Sequence, residues 1–178
     1  MSWPCDSRAR YPAVTIESAI AIANAVAATL QVVFIVLSIW FVNRQFAITR
    51  ACSYIERFNS DEHIRRRAIV DQWLESSPSD EERLAALTQS AELRANVYGF
   101  LNLFQELGVA YRYHSVHRTT VRETFDYLVP DYWRRTRFLV DYVRRPAPGT
   151  PVPVGEEPAP TAYRKFELLA QDLQTSSK

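Results

Sequence analysis

From Ser18 to Asn43 the chain reads SAIAIANAVAATLQVVFIVLSIWFVN, apolar almost throughout and without a charged residue. Crossing the hydrocarbon core of a bilayer takes about 20 mainly apolar residues in a helix, and this run supplies them. Glu17 and Arg44 bound it, and Trp40 and Phe41 stand where interfacial aromatic anchors belong. A soluble core helix of this length would need apolar neighbours on every side, which the remaining sequence does not offer. A cleaved signal would carry an apolar region of about 7–15 residues followed by small residues. Here the small residues, ANAVAA, come first and the bulkiest follow. The pattern predicts a retained transmembrane helix over 18–43 behind a short tail over 1–17.

Beyond Arg44 the pattern becomes amphipathic. Ala47, Ala51, Tyr54 and Phe58 form one stripe at helical spacing, with Ile48 and Ile55 beside it. FNSDE then reads as a break and restart, with Asn59 or Ser60 as cap and Asp61 and Glu62 at the positive end of a new helix. Ile69, Val70, Trp73 and Leu74 give that helix its apolar face. Ser79 or Asp80 caps a third helix, predicted to run from about Asp80 toward Tyr113 on a seam of Leu93, Val97, Phe100, Phe104, Leu107 and Tyr111. Gly99 and Gly108 weaken it, and Gly108 suggests a bend or close packing. Thr120 and Glu123 form a capping-box pattern for a short helix. Pro130 suits the first turn of the next, whose apolar face is Tyr132, Leu139 and Val143. No stretch sustains period-two alternation, so the fold class is all-α: a single N-terminal transmembrane helix followed by a small helical bundle over 44–145. Pro146 to Pro160, PAPGTPVPVGEEPAP, reads as a linker over 146–160. Ala162, Phe166, Leu169 and Leu173 predict a short amphipathic helix over 161–178, marginal alone and in need of a surface to dock on.

Charge changes this picture little. The formal net charge of the 178 residues is +1, which creates no strong overall field. Near the membrane segment, Arg44, Arg50 and Arg57 on one side outweigh Arg8 and Arg10 on the other. The positive-inside tendency therefore predicts a cytoplasmic C-terminal domain.

The most apolar stretch of the bundle, GFLNLFQELGVAYRY, carries Asn102 and Glu106 one helical turn apart. At 100° per residue they fall opposite the Leu93–Tyr111 seam, on a face shared with Tyr98, Val109 and Tyr113. A helix apolar on most sides is the centre of a bundle. The expectation is therefore a partly buried Glu106 in a structural ion pair with Arg65, Arg66, Arg67, Arg134, Arg135 or Arg137. Within the membrane helix, Asn24 and Gln31 lie two turns apart and could hydrogen-bond between helices in a homo-oligomer.

These segments resemble those of an uncharacterised family of small bacterial membrane proteins. In that family one N-terminal transmembrane helix leads into a Tyr-Ile-x-x-Phe-Asn segment, here Tyr54, Ile55, Phe58 and Asn59. A charged helix and then an Asn/Glu-bearing apolar helix like FLNLFQELG follow. The resemblance spans about Arg44 to Arg145, with the Pro-rich linker and last helix as additions. It implies an all-helical cytoplasmic domain of unknown function and supplies no catalytic residues.

The sequence offers little recognisable chemistry. His114 and His117 make an H-x-x-H pair without a third ligand, and His63 is distant. Cys52 has no histidine near it in sequence and reads as a small helix-face residue; its juxtamembrane position is the one support for reversible palmitoylation there. With 4 glycines in the chain, glycine-rich phosphate loops are absent. The arginine clusters alternate with aromatics, but Asp61, Glu62, Asp71, Asp131 and Asp141 lie among them, which argues against nucleic acid as partner. We therefore expect no catalytic residues, metal or cofactor. The expected role is protein–protein interaction or scaffolding at the cell membrane, with an unidentified protein partner. A self-associating effector that permeabilises the bilayer is the alternative, ahead of an enzyme with a site around Glu106.

Overall fold

The computed structural model describes residues 15–76, 79–144 and 160–176. Among them are seven helices and no strand: α1 (Ile16–Phe58), α2 (Asp61–Ser76), α3 (Asp80–Gln89), α4 (Ala91–Arg112), α5 (Arg118–Phe125), α6 (Leu128–Arg144) and α7 (Arg164–Ser176). The fold is all-α. Two compact units divide at Asn43, Met1–Asn43 and Arg44–Lys178. The described part of the first is one helix whose apolar side chains, from Ile20 to Val42, are exposed. It is long and apolar enough to cross a membrane. The expected linker over 146–160 lies outside the described residues save Pro160, as do Cys5, Arg8 and Arg10 of the N-terminal tail.

In the second unit the core is built on aromatic rings around α4. Phe58, in the last turn of α1, stands edge-on to Phe125 of α5 at 5.4 Å and tilts against Phe104 at 6.1 Å. Phe100 meets Tyr132 of α6 at 4.8 Å, and Phe104 stacks on Phe166 of α7 at 5.1 Å. Val97, Leu101, Leu103 and Leu107 are buried beside them, so α4 is apolar on most sides because it is the central helix.

The long helix expected over 80–113 is two helices. Ser90 ends α3 by donating its N–H to Ala86 O (3.1 Å) and opens α4 by accepting from Leu93 N–H at Oγ (3.1 Å). Serine is a strong helix N-cap, and the break lets Leu87 be buried instead of extending the α4 seam. Ser79 caps α3 as expected. The α5 cap is His117, one turn before the expected Thr120. Its N–H is held by Ala47 O of α1 (2.9 Å), and its Nδ1 lies 3.4 Å from Thr120 N and 2.9 Å from Thr120 Oγ1. That tie sets His117 in an extended conformation, so the helix starts at Arg118.

The last helix docks on its own bundle. Phe166, Leu169, Ala170 and Leu173 of α7 are buried against α4 and α6. Gln105 of α4 accepts the Lys165 and Phe166 N–H groups (3.0 Å each), satisfying two donors at the start of α7. Gly108 permits the approach: a Cβ there would stand 2.3 Å from the Lys165 carbonyl oxygen. Glycine at 108 serves close packing.

Candidate functional site

The two sequence segments that carry the family resemblance converge on one polar cluster. Tyr54 and Arg57 come from the end of α1, His63 and Arg66 from the first two turns of α2, and Glu106 from α4. Ser60 makes the turn that brings α2 back, accepting Ile64 N–H at its carbonyl (2.9 Å). Arg57 Nη1 donates to Glu106 Oε2 at 2.5 Å, and Arg57 Nε donates to His63 Nε2 at 3.3 Å. With Nε2 accepting, the imidazole proton resides on Nδ1. His63 is 3% exposed and its Nδ1 has no hydrogen-bond partner. Burial pushes the His63 pKa below 6.5, and the Arg57 and Arg66 guanidiniums push it further the same way. Burial, then the Glu106 carboxylate, pushes the Tyr54 phenol up. Arg66 pairs with Glu62, and its guanidinium packs over Gly99, where a Cβ would be 2.7 Å from Nη1.

Glu106 therefore forms an ion pair, but with Arg57, which was not among its expected partners. It is also half-exposed: the Arg57 and Glu106 side chains retain 45% and 48% of their accessibility. The cause is the continuation of α1 past its apolar segment, which lays its last turn beside α4 and brings Arg57 to Glu106. Asn102, one turn earlier, is exposed. The arginines expected to reach Glu106 are placed elsewhere. Arg65 is exposed, and Arg67 lies over the Phe58 ring at 5.2 Å. Arg134 pairs with Asp131 (2.5 Å), Arg137 with Asp141 (3.6 Å) and Arg135 with Asp71 (3.0 Å). Tyr132 also donates to Asp71, and burial, followed by that carboxylate, raises its pKa.

The sequence did not disclose a second cluster. Tyr111 Oη donates to Asp172 Oδ2 (2.5 Å), and Arg122 Nε donates to Tyr111 Oη (3.1 Å). The Tyr111 hydrogen bond leads the causes that lower the Asp172 pKa. The cluster borders a cavity of 310 Å³ also lined by Arg112, Arg118 and Thr175. Asp172 follows the Pro-rich segment, and nothing local to it points at residues 50 or more positions earlier. Its place on the Leu169–Leu173 side of α7 was the one available signal.

Chemically, the Arg57 cluster is a clasp. The Nε2 lone pair of His63 is occupied by Arg57, and Glu106 is occupied by the same group. His117 Nδ1 is engaged at the α5 cap. Among the described residues no three His, Cys, Asp or Glu side chains are grouped as a metal site.

Fold and clasp together define an all-helical bundle continuous with a long apolar N-terminal helix. The chain belongs to the family of the domain of unknown function DUF4760, whose model matches residues 20–173. No curated protein and no solved structure matches it. The family match reaches past the Pro-rich segment into α7. Together with the burial of Phe166, this corrects the expectation that the last helix is an addition to the family's core.

Proposed function

We propose that this protein is a single-pass membrane protein whose helical bundle is a protein–protein interaction or scaffolding module, facing the cytoplasm. The observation that carries the reading is α1. Its apolar side chains between Ser18 and Asn43 are exposed on all sides, and the same helix continues without a break into the bundle. Leaving that much apolar surface in water would cost about 25 cal/mol per Å², and a lipid environment removes the cost. Asn24 and Gln31, exposed on the apolar helix, favour a second reading as a self-associating effector.

Alkaline carbonate extraction of expressing cells should leave the chain in the membrane pellet. A membrane-impermeant thiol reagent on intact cells should label Cys5 and spare Cys52, with permeabilised cells confirming that both thiols react. Release by carbonate would overturn the anchor, and labelling of Cys52 alone would reverse the orientation.

A further inference from the structure

We infer that the corner between α1 and α2 is a proton-operated hinge: protonation of His63 releases the clasp and opens the first turn of α2 while the rest of the bundle stays folded. Arg57 Nε donates to His63 Nε2 at 3.3 Å, so the ring proton sits on Nδ1, which is buried and meets no acceptor among the described residues. A second proton can enter only at Nε2. It removes the lone pair that receives Arg57 and sets one N–H against another.

The closed corner offers that proton no compensation. The charged groups facing the ring are Arg57 from α1, Glu62 and Arg66 from α2, and Glu106 from α4. Both carboxylates are already engaged, Glu106 by Arg57 and Glu62 by Arg66. The four together carry no net charge, so an imidazolium here is an unbalanced cation in a site closed to water. Tyr54, the remaining titratable group of the cluster, stays neutral at these pH values, since burial pushes its phenol up.

The element that yields is the first turn of α2. Of Asp61, Glu62, His63, Ile64 and Arg65, only His63 is buried. Ejecting its imidazole therefore uncovers no other buried side chain of that turn. The far half of α2 is held independently. Val70, Trp73 and Leu74 are buried, and Asp71 accepts from Tyr132 Oη and Arg135 Nη1 of α6, each at 3.0 Å. On the other side, Phe58 stays edge-on to Phe125, which keeps the last turn of α1 in the core. Arg57 Nη1 keeps Glu106 when Nε is released, so α1 remains joined to α4. The parts separate at Asn59 and Ser60, where short-range bonds from Ser60 N–H and Oγ to Arg57 O make the turn.

Hydrogen–deuterium exchange of the full chain in detergent tests this at pH 7, 6 and 5, with each rate corrected for the pH dependence of an unstructured amide. The amides of Ile64 to Arg67 should open at lower cost than those of Leu103 to Leu107 in α4. Their protection should fall by up to about tenfold per pH unit below 6.5, the slope of one proton taken up on opening. His63→Gln, a neutral acceptor at every pH, should abolish the slope. Three results overturn the hinge: no slope at Ile64 to Arg67, the same slope in His63→Gln, or protection there equal to that of α4, which would mean that the bundle opens only as a whole. If His63→Gln does not fold, the native chain decides alone. The His63 ring carbon shift, assigned through its own amide, should then titrate below pH 6.5, and a ring that titrates at the ordinary value overturns the hinge.

Discussion

His63 is a buried imidazole whose one engaged nitrogen accepts from an arginine, which sets the pH response of the bundle. The groups facing it are Arg57 of α1, Glu62 and Arg66 of α2, and Glu106 of α4. Burial and the two guanidiniums hold its folded pKa below 6.5, whereas in the unfolded chain it titrates near 6.5. Above that value both states are neutral and the stability it contributes is fully present. As pH falls below 6.5 the unfolded chain takes up a proton that the folded chain refuses, so stability falls until the folded pKa is passed. Asp172 acts in a separate window. Its folded pKa is lowered, so its contribution is lost only below about pH 4. Thermal unfolding of the detergent-solubilised chain, followed by near-ultraviolet circular dichroism, should show a midpoint that declines as pH falls below 6.5. His63→Gln, which keeps an acceptor for Arg57, should flatten that decline. A wild-type curve that is flat there would remove His63 as the source. The Arg57–Glu106 bond contributes less than its length suggests, about 0.2–1 kcal/mol, because both side chains remain half in water.

Between elements, the two glycines of α4 separate close packing from mere permissiveness. At Gly108 an added methyl meets the Lys165 carbonyl carbon and oxygen, backbone that moves only if α7 moves. At Gly99 it meets the far end of Arg66, a flexible side chain that can swing aside. Gly108→Ala should destabilise by about 1–3 kcal/mol and expose α7 to limited proteolysis. Gly99→Ala should be neutral or stabilising by up to about 1 kcal/mol, the helix-propensity gain. Equal effects from the two would mean that α7 is loosely held. The same contrast shows what the sequence could convey. Periodicity disclosed the central helix, because Val97, Phe100, Phe104, Leu107 and Tyr111 repeat on a buried face whatever covers it. It also disclosed the amphipathic stripe of α7. It could not disclose that Phe166 covers Phe104, since nothing local to either ring names its partner. The Ser90 break was hidden because the apolar spacing on either side mimics one long helix. The ion pair was legible as a need of Glu106, but its partner was not. Arg57 reads as membrane-flanking charge until α1 is seen to continue beside α4.

At the scale of the whole chain, the scaffold and effector readings differ in what α1 does with copies of itself. Asn24 and Gln31, two turns apart, share one side of the exposed helix. In hydrocarbon an amide side chain gains from pairing across helices by about 1 kcal/mol. Two such contacts give about 2 kcal/mol, a factor of about 30 in the association constant. That biases association without enforcing it, so a cytoplasmic partner holding several bundles together would amplify the bias by raising local concentration. Asn24→Leu with Gln31→Leu should therefore lower energy transfer between donor- and acceptor-labelled chains in vesicles at fixed protein density, with bundle helicity unchanged. A dye trapped in the same vesicles separates the readings. A scaffold leaves it inside at every density, since paired single helices enclose no water path. Leakage that climbs with density and disappears in the double variant would transfer the function to a permeabilising effector, with Asn24 and Gln31 as its assembly contacts.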